Sequence, residues 1–217
     1  MIGIVVGLAA EARMAQPLGG VIGIGGGTYP GALEAADRLA TRGVRGLISF
    51  GLAGGLDPML APGSLVVPGA ILVGTQRYPT DPGLSARMGG ADGRVLLGGD
   101  AVVADVAAKA ALWRGTGAAA VDLESGAVAE VATRYGLPFA ALRAVCDPAT
   151  RSLPPAALLA LDQQTGGIGL GRVIGSLLHD PGQIPALLAL AWDARAARRA
   201  LIARARSLPA FSGEILA

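Results

Sequence analysis

The chain has 217 residues, of which 52% are hydrophobic and 16% charged, with a net charge of +2, whereas average globular domains carry roughly 25% charged residues. That composition supplies a large core for one α/β domain, while so small a charge and 4% aromatics argue against a nucleic-acid surface with stacking platforms. No apolar run suits a membrane-spanning helix, and Met1–Arg13 lacks the basic start of a signal peptide, so a cytoplasmic location is expected.

Short apolar runs alternate with helical patterns along the chain. Ile2–Val6 and Val21–Ile24 read as strands, each ending in glycine. Residues Pro30–Thr41 carry apolar side chains at helical spacing (Leu33, Ala36, Leu39, Ala40). Gly46–Phe50, Leu65–Val67, Ala70–Val73 and Val95–Leu97 are further strands, with Pro68 splitting the middle pair. Val102–Leu112 is helical, Ala118–Val121 a strand, Glu124–Tyr135 a helix and Phe139–Val145 a strand. Their length and flanking glycines favour strands over buried helix fragments. Alternation of the two types predicts an α/β fold, with a mostly parallel or mixed central sheet flanked by helices. Beyond Pro154 no strand is evident. Pro155–Leu161, Ile168–Leu178 and Gln183–Arg206 read as helices, so 154–217 is expected to be a helical C-terminal segment of a single domain spanning 1–217.

In open α/β sheets, ligands bind beyond the carboxyl ends of strands. Several glycines and acids fall there: Gly7–Arg13 after the first strand, Gly51–Gly55 after Phe50, Asp122 and Glu124 after Val121, and Asp147 after Val145. Taken alone, Glu124 suits a first helical turn, and Asp147 before Pro148 suits a turn or cap. Gly25–Gly27 is a turn by default, since no P-loop pattern follows. The single cysteine, Cys146, excludes an internal disulfide and suits a reducing compartment. It reads as a small buried apolar residue, and His179 as a helix C-terminal residue. One Cys and one His make a metal site unexpected, and no cofactor is implied.

The runs GIVVGLAAEA, ISFGLAGGLDPMLAPGSLVVP, VLLGGDAVV and AVDLESGAVAEVATRYGLPFAALRAVCD, within roughly Ile2–Arg151, together resemble the nucleoside phosphorylase and nucleosidase superfamily. That group includes purine nucleoside phosphorylases and methylthioadenosine/S-adenosylhomocysteine nucleosidases. With the CDPA turn and the tail PGQIPALLALAWDARAARRAL, the set is most similar to the bacterial hopanoid-associated phosphorylases, which are assigned to removing adenine from adenosylhopane. The resemblance implies a three-layer sandwich fold, an N-ribosyl-cleaving activity, a small-molecule or lipid-linked nucleoside as substrate, and a homo-oligomer. Methylthioadenosine or S-adenosylhomocysteine is the alternative substrate. A non-catalytic nucleoside-binding protein is the third reading.

Residue roles follow from the same resemblance. Asp147 aligns with the acid that serves N7 of the purine, and Glu124 with the carboxylate that holds the ribose hydroxyls. Leu123 takes the place of a methionine under the sugar. Ala101, Val102 and Val103 align with the loop that packs on the base, Val102 replacing a stacking phenylalanine. Glu11 lies near the glutamate that activates water in the nucleosidases, one residue closer to Gly7 than in that pattern. Arg13 is a candidate phosphate ligand. With Gly7, Gly51, Leu52 and Ala53 it makes up the expected phosphate or water site. Leu52 stands where relatives have serine, and inorganic phosphate is a possible co-substrate.

The chemistry fits two unlike acids. Cleaving an N-ribosidic bond builds oxocarbenium character in the sugar and needs a general acid at the leaving base. A buried Asp147 has a raised pKa and keeps its proton, while an anionic Glu124 favours the cationic sugar. The tail adds an apolar stripe (Leu187, Leu188, Leu190, Ala191) followed by Arg195, Arg198, Arg199, Arg204 and Arg206. Such a helix is suited to an anionic inner-membrane surface or to packing on the core or another subunit.

Overall fold

A computed structural model describes residues 1–160, 176 and 179–211. Its elements run β1 (Gly3–Val6), α1 (Ala9–Ala15), β2 (Val21–Ile24), α2 (Tyr29–Thr41), β3 (Leu47–Gly55), β4 (Leu65–Val66), β5 (Ala70–Val73), β6 (Gln76–Pro79) and α3 (Pro82–Arg87). They continue with β7 (Val95–Gly98), α4 (Val106–Thr116), β8 (Ala120–Asp122), α5 (Ser125–Tyr135), β9 (Phe139–Asp147), α6 (Pro155–Ala160) and α7 (Ile184–Ser207).

The α/β class and the alternation of elements agree with the sequence pattern. The differences are local. Helix α1, strand β6 and helix α3 occupy stretches without a strong apolar period. Helix α4 begins at Val106 and not at Val102, because the Asp105 carboxylate accepts the N–H groups of Ala107 (2.7 Å) and Ala108 (3.1 Å) and caps the helix there. Strand β3 does not stop at Phe50 but runs on through the glycine-rich LAGG. The expected helix over 168–178 lies almost wholly outside the described residues.

The nine strands form one mixed sheet. Two parallel blocks make it up, β2-β1-β3-β9 and β8-β7-β5. They meet where β3 turns antiparallel to β8, at Gly54 opposite Val121 and Gly55 opposite Ala120. The long β3 therefore belongs to both: its first half pairs with β1 and β9, and its end pairs with β8. The antiparallel junction carries the end of β8, with Asp122, back towards the middle of β3. Parallel order alone would not bring the acids of β8 and β9 together.

Successive strand side chains point to opposite faces, and two cores result. Val5, Leu47, Phe139 and Ala141 pack under α2 and α5, where Ala32, Ala35, Ala36, Val128 and Ala132 permit close helix–sheet contact. Ile4, Ile48, Phe50, Ala140 and Leu142 pack under α1, α3 and α7, against Met14, Leu84, Ala197 and Leu201. Burying each large apolar side chain contributes about 1.5–3 kcal/mol. In β9 the alternation places Arg143 on the α5 side, two residues after Ala141, fully buried inside an otherwise apolar layer. A charge in that position must be paired or it is strongly destabilising.

Candidate active site

Arg143 is met by a ring of acceptors. Its Nε lies 2.5 Å from Asp122 Oδ2, and its Nη1 3.1 Å from Glu124 Oε2. Nη2 donates to Ser49 Oγ at 2.5 Å and to Ser125 Oγ at 3.1 Å. Ser125 Oγ in turn donates to Asp122 Oδ2 at 2.6 Å. The strand end of β8 thus supplies Asp122, the start of α5 supplies Glu124 and Ser125, and β3 supplies Ser49. All are buried. Asp122 is engaged by Arg143 and Ser125, so it braces the cation, while Glu124 is the acid of this pair with a second oxygen turned elsewhere.

That oxygen faces Glu11. Both carboxylates close on Gly7: a Cβ there would stand 2.5 Å from Glu124 Oε1 and 3.0 Å from Glu11 Oε2. Only glycine leaves room for this approach. Glu11 comes from the first turn of α1. Its Oε2 accepts the N–H groups of Gly7 and Leu8, both at 2.9 Å, and its Oε1 accepts the N–H of Leu52 at 2.9 Å. The bond to Leu8 is the glutamate half of a capping box, reaching back to the residue before the helix. Gly51 is confined for the same reason as Gly7, since a Cβ there would lie 2.5 Å from Arg143 Nη1 and 2.6 Å from Glu11 Oε1. Gly7, Gly51, Leu52, Glu11, Glu124 and Arg143 are therefore one constellation.

Of the expected phosphate or water site, Gly7, Gly51 and Leu52 lie in this arrangement. The backbone donors at Gly7, Leu8 and Leu52 are engaged by Glu11. Arg13 is exposed whereas Glu11, two positions earlier on the same helix, is buried, so the two point in different directions from α1. Ala53 turns into the α2/α5 core. The buried cation beside Glu11 and Glu124 is Arg143, which sequence reasoning did not single out.

Burial and neighbouring charges act on both acids. The Glu124 carboxyl is pushed up to about 8, first by burial and then by the neighbouring charges of Asp122 and Glu11, against the lowering influence of Arg143. Burial thus works against the anionic form of Glu124, and the Arg143 guanidinium works for it. Asp147 is raised above the usual carboxylate range by burial, while Lys109 and Arg151 pull it down and Asp193 pushes it up. The direction expected for Asp147 is present, but it has a cationic neighbour that the sequence did not reveal.

Asp147 ends β9, beside the junction. A register shift lets it, and not Cys146, oppose Gly54, whose other neighbour is Val121 of β8. Bulges of this kind re-aim side chains next to functional sites. Asp147 Oδ2 accepts from Lys109 Nζ at 2.7 Å. Its Oδ1 is buried without a hydrogen-bond partner, which is uncommon for such an atom. Glu124 and Asp147 therefore flank one junction, reached from β8 and β9 on either side of β3. The neighbouring Cys146 thiol is pushed up to about 12 by burial, in keeping with an inert, apolar role.

The remaining expected residues border the junction. Leu123 is half-buried between Asp122 and Glu124. Ala101, Val102 and Val103 follow β7 in the loop that Gly99 begins, and the Gly99 N–H donates to Asp122 O at 2.7 Å. Ala101 and Val102 are exposed, while Val103 packs with Leu56, Ala118 and Val121. A groove of about 420 Å³ lies alongside, lined by Tyr29, Val73, Gly74, Leu97, Gly98, Gly99 and Asp100.

A family model described as the phosphorylase superfamily matches residues 6–167. No curated protein sequence matches the chain. Among solved structures, the futalosine hydrolase of Helicobacter pylori strain 26695 is similar, with a TM-score of 0.64 at 17% identity over 82% of this chain and 97% of that one. An S-adenosylhomocysteine nucleosidase from Streptococcus pyogenes gives 0.62 at 20% identity, over 82% and 96%. A 5′-methylthioadenosine/S-adenosylhomocysteine nucleosidase from S. pneumoniae gives 0.64 at 17% identity, over 95% and 98%. At such identities these likenesses establish a common fold.

Proposed function

The chain belongs to the phosphorylase superfamily, and from that premise we propose that it cleaves the N-glycosidic bond of an adenosine-type nucleoside, releasing adenine, with water as the attacking group. The observation that carries this reading is the pair of buried carboxyls closing on Gly7. Glu11, which accepts from three backbone N–H groups, serves in this reading as the base that takes a proton from water. Glu124 accepts hydrogen bonds from the ribose hydroxyls, whose donors favour its anion and offset the desolvation that raises its pKa. As the C1′–N9 bond breaks, its electron pair goes to the base, and Asp147 gives a proton to N7. The anionic Glu124 then stands near the developing positive charge of the sugar. Engagement of the Gly7, Leu8 and Leu52 amides by Glu11, with Arg13 directed elsewhere, supports water over phosphate.

The test is adenine release from 5′-methylthioadenosine and S-adenosylhomocysteine in ¹⁸O-water, with and without phosphate. Hydrolysis puts ¹⁸O on the sugar at a rate independent of phosphate. A sugar phosphate as product contradicts the water reading, and absence of adenine release from any nucleoside contradicts the function.

For the natural substrate we propose adenosylhopane. Support comes from α7, where Ile184, Leu188 and Trp192 form an outward line at four-residue spacing, Trp192 being 68% exposed, and exposed Arg195 and Arg199 follow it. The stripe differs from the one the sequence suggests: Leu187 and Leu190 are half-buried, and Arg204 turns inward to donate to Met88 O at 3.1 Å. Aromatic and aliphatic side chains beside arginines suit an anionic lipid surface, where such a substrate resides. Among the described residues, no helix is long and apolar enough to cross a membrane. Co-sedimentation with anionic vesicles, lost in Trp192→Glu, is the expected result. A second copy of the chain on the same face is the competing outcome, read as a dimer that Trp192→Glu splits.

A further inference from the structure

Lys109 is the sole lysine of the sequence and the one buried residue of α4. Its side chain is fully enclosed. The three protons of its ammonium meet three acceptors: Asp147 Oδ2 at 2.7 Å, Pro148 O at 3.1 Å and Arg151 O at 2.8 Å. This donor set is complete for a protonated lysine. It also ties the turn after β9 to α4, so the position of Asp147 is fixed from two sides.

Resting on the reading of Asp147 as the group that meets the leaving base, we propose that Lys109 is a positioning residue that confines the Asp147 proton to Oδ1. Oδ2 is occupied as an acceptor by the ammonium, so a carboxyl proton has its place on Oδ1, the atom left without a partner. The proton then passes from Oδ1 to N7 as the C1′–N9 bond pair moves to the base. The resulting carboxylate is balanced by Lys109, which keeps its own protons throughout, and solvent restores the acid after release. The other ionisable groups around Asp147 are Arg151 in the following turn, Cys146 on β9 and Asp193 of α7. Arg151 is engaged by an ion pair with Asp193. β3 and β8 present Gly54 and Val121 here.

The sign of the effect is fixed by the charge. Lys109 lowers the Asp147 pKa, so its removal raises it. A general acid works only while protonated, so the high-pH fall in kcat moves upward in Lys109→Met by roughly one pH unit. At its maximum, kcat falls about 10- to 100-fold because the proton is no longer directed, with KM nearly unchanged. Lys109→Arg, which keeps the cation, restores the position of the limb. The measurement is kcat and KM for adenine release against pH in the three proteins. It is paired with the ¹³C titration of the Asp147 carboxyl in the free proteins, assigned by Asp147→Asn. Loss of activity with an unmoved limb, or a carboxyl titration that is the same in Lys109→Met and wild type, overturns the proposal. Should Lys109→Met not fold, Lys109→Arg and Lys109→Gln serve the same comparison: a limb higher in Gln than in Arg supports it, and coincident limbs overturn it. A wild type that releases no base sinks the functional reading instead. The carboxyl titration then decides the Lys109–Asp147 coupling alone.

Discussion

Two buried cations serve this junction, and they are built differently. Arg143 sits among Asp122, Glu124, Ser49 and Ser125, with Glu11 close by across Gly51. Acids outnumber the cation there, and one of them, Glu124, is driven towards its neutral form. Lys109 faces one acid and two carbonyls, and leaves one carboxyl oxygen open. The first cluster is an overfilled anionic socket suited to gripping hydroxyls and water. The second sets one cation against one acid and leaves a single carboxyl oxygen free for hydrogen bonding. The difference teaches that burial alone does not set the state of an acid in this protein; the number and geometry of its neighbours do.

The comparison breaks most severely at Arg143. Arg143→Leu leaves Asp122, Glu124 and Glu11 without their cation, and uncompensated buried charge costs about 3–5 kcal/mol. Denaturant unfolding is expected to show a loss of that size or a protein that does not fold. Glu11→Gln comes next. It keeps the size but removes the base, so adenine release falls about 10²- to 10⁴-fold while the far-ultraviolet circular dichroism is retained. Gly7→Ala then forces a methyl between Glu11 and Glu124, with about 1–3 kcal/mol of overpacking and a higher KM as the sugar grip is displaced.

The last effect is a slope. Glu124 has a folded-state value of about 8 against an ordinary 4.5, so the folded protein binds the proton more tightly than the unfolded chain. Its contribution to stability is complete below the unfolded value and is lost as pH rises between the two. Tm is therefore expected to fall from pH 5 to pH 8 more steeply in wild type than in Glu124→Gln. Equal slopes would show that the socket is not overfilled.

Much of the fold was legible because strands of parallel blocks are largely apolar runs, and β1, β2, β5 and β7 have that form, with β9 departing from it at Arg143. Asp122, Glu124 and Asp147 were legible as well, since acids that directly follow such runs stand at strand ends. Arg143 was hidden inside an apolar strand whose period-two alternation gives no sign that one face turns polar. Lys109 was hidden by distance, its partner being 38 positions away, and by the late start of α4. Asp105 as a cap was the local signal for that start, and a lone lysine in an arginine-rich chain was the signal for the residue itself. Helix α1 escaped notice because its alanines carry little periodicity, although Glu11 at its third position was available as a capping cue.

The most direct measurement concerns Asp147→Asn. Adenine binding and adenine release should be followed side by side, by calorimetry and by chromatography of the freed base. The account predicts a folded variant that still binds adenine within about tenfold of wild type and has lost release by about 10²-fold or more. Release at the wild-type rate would contradict it.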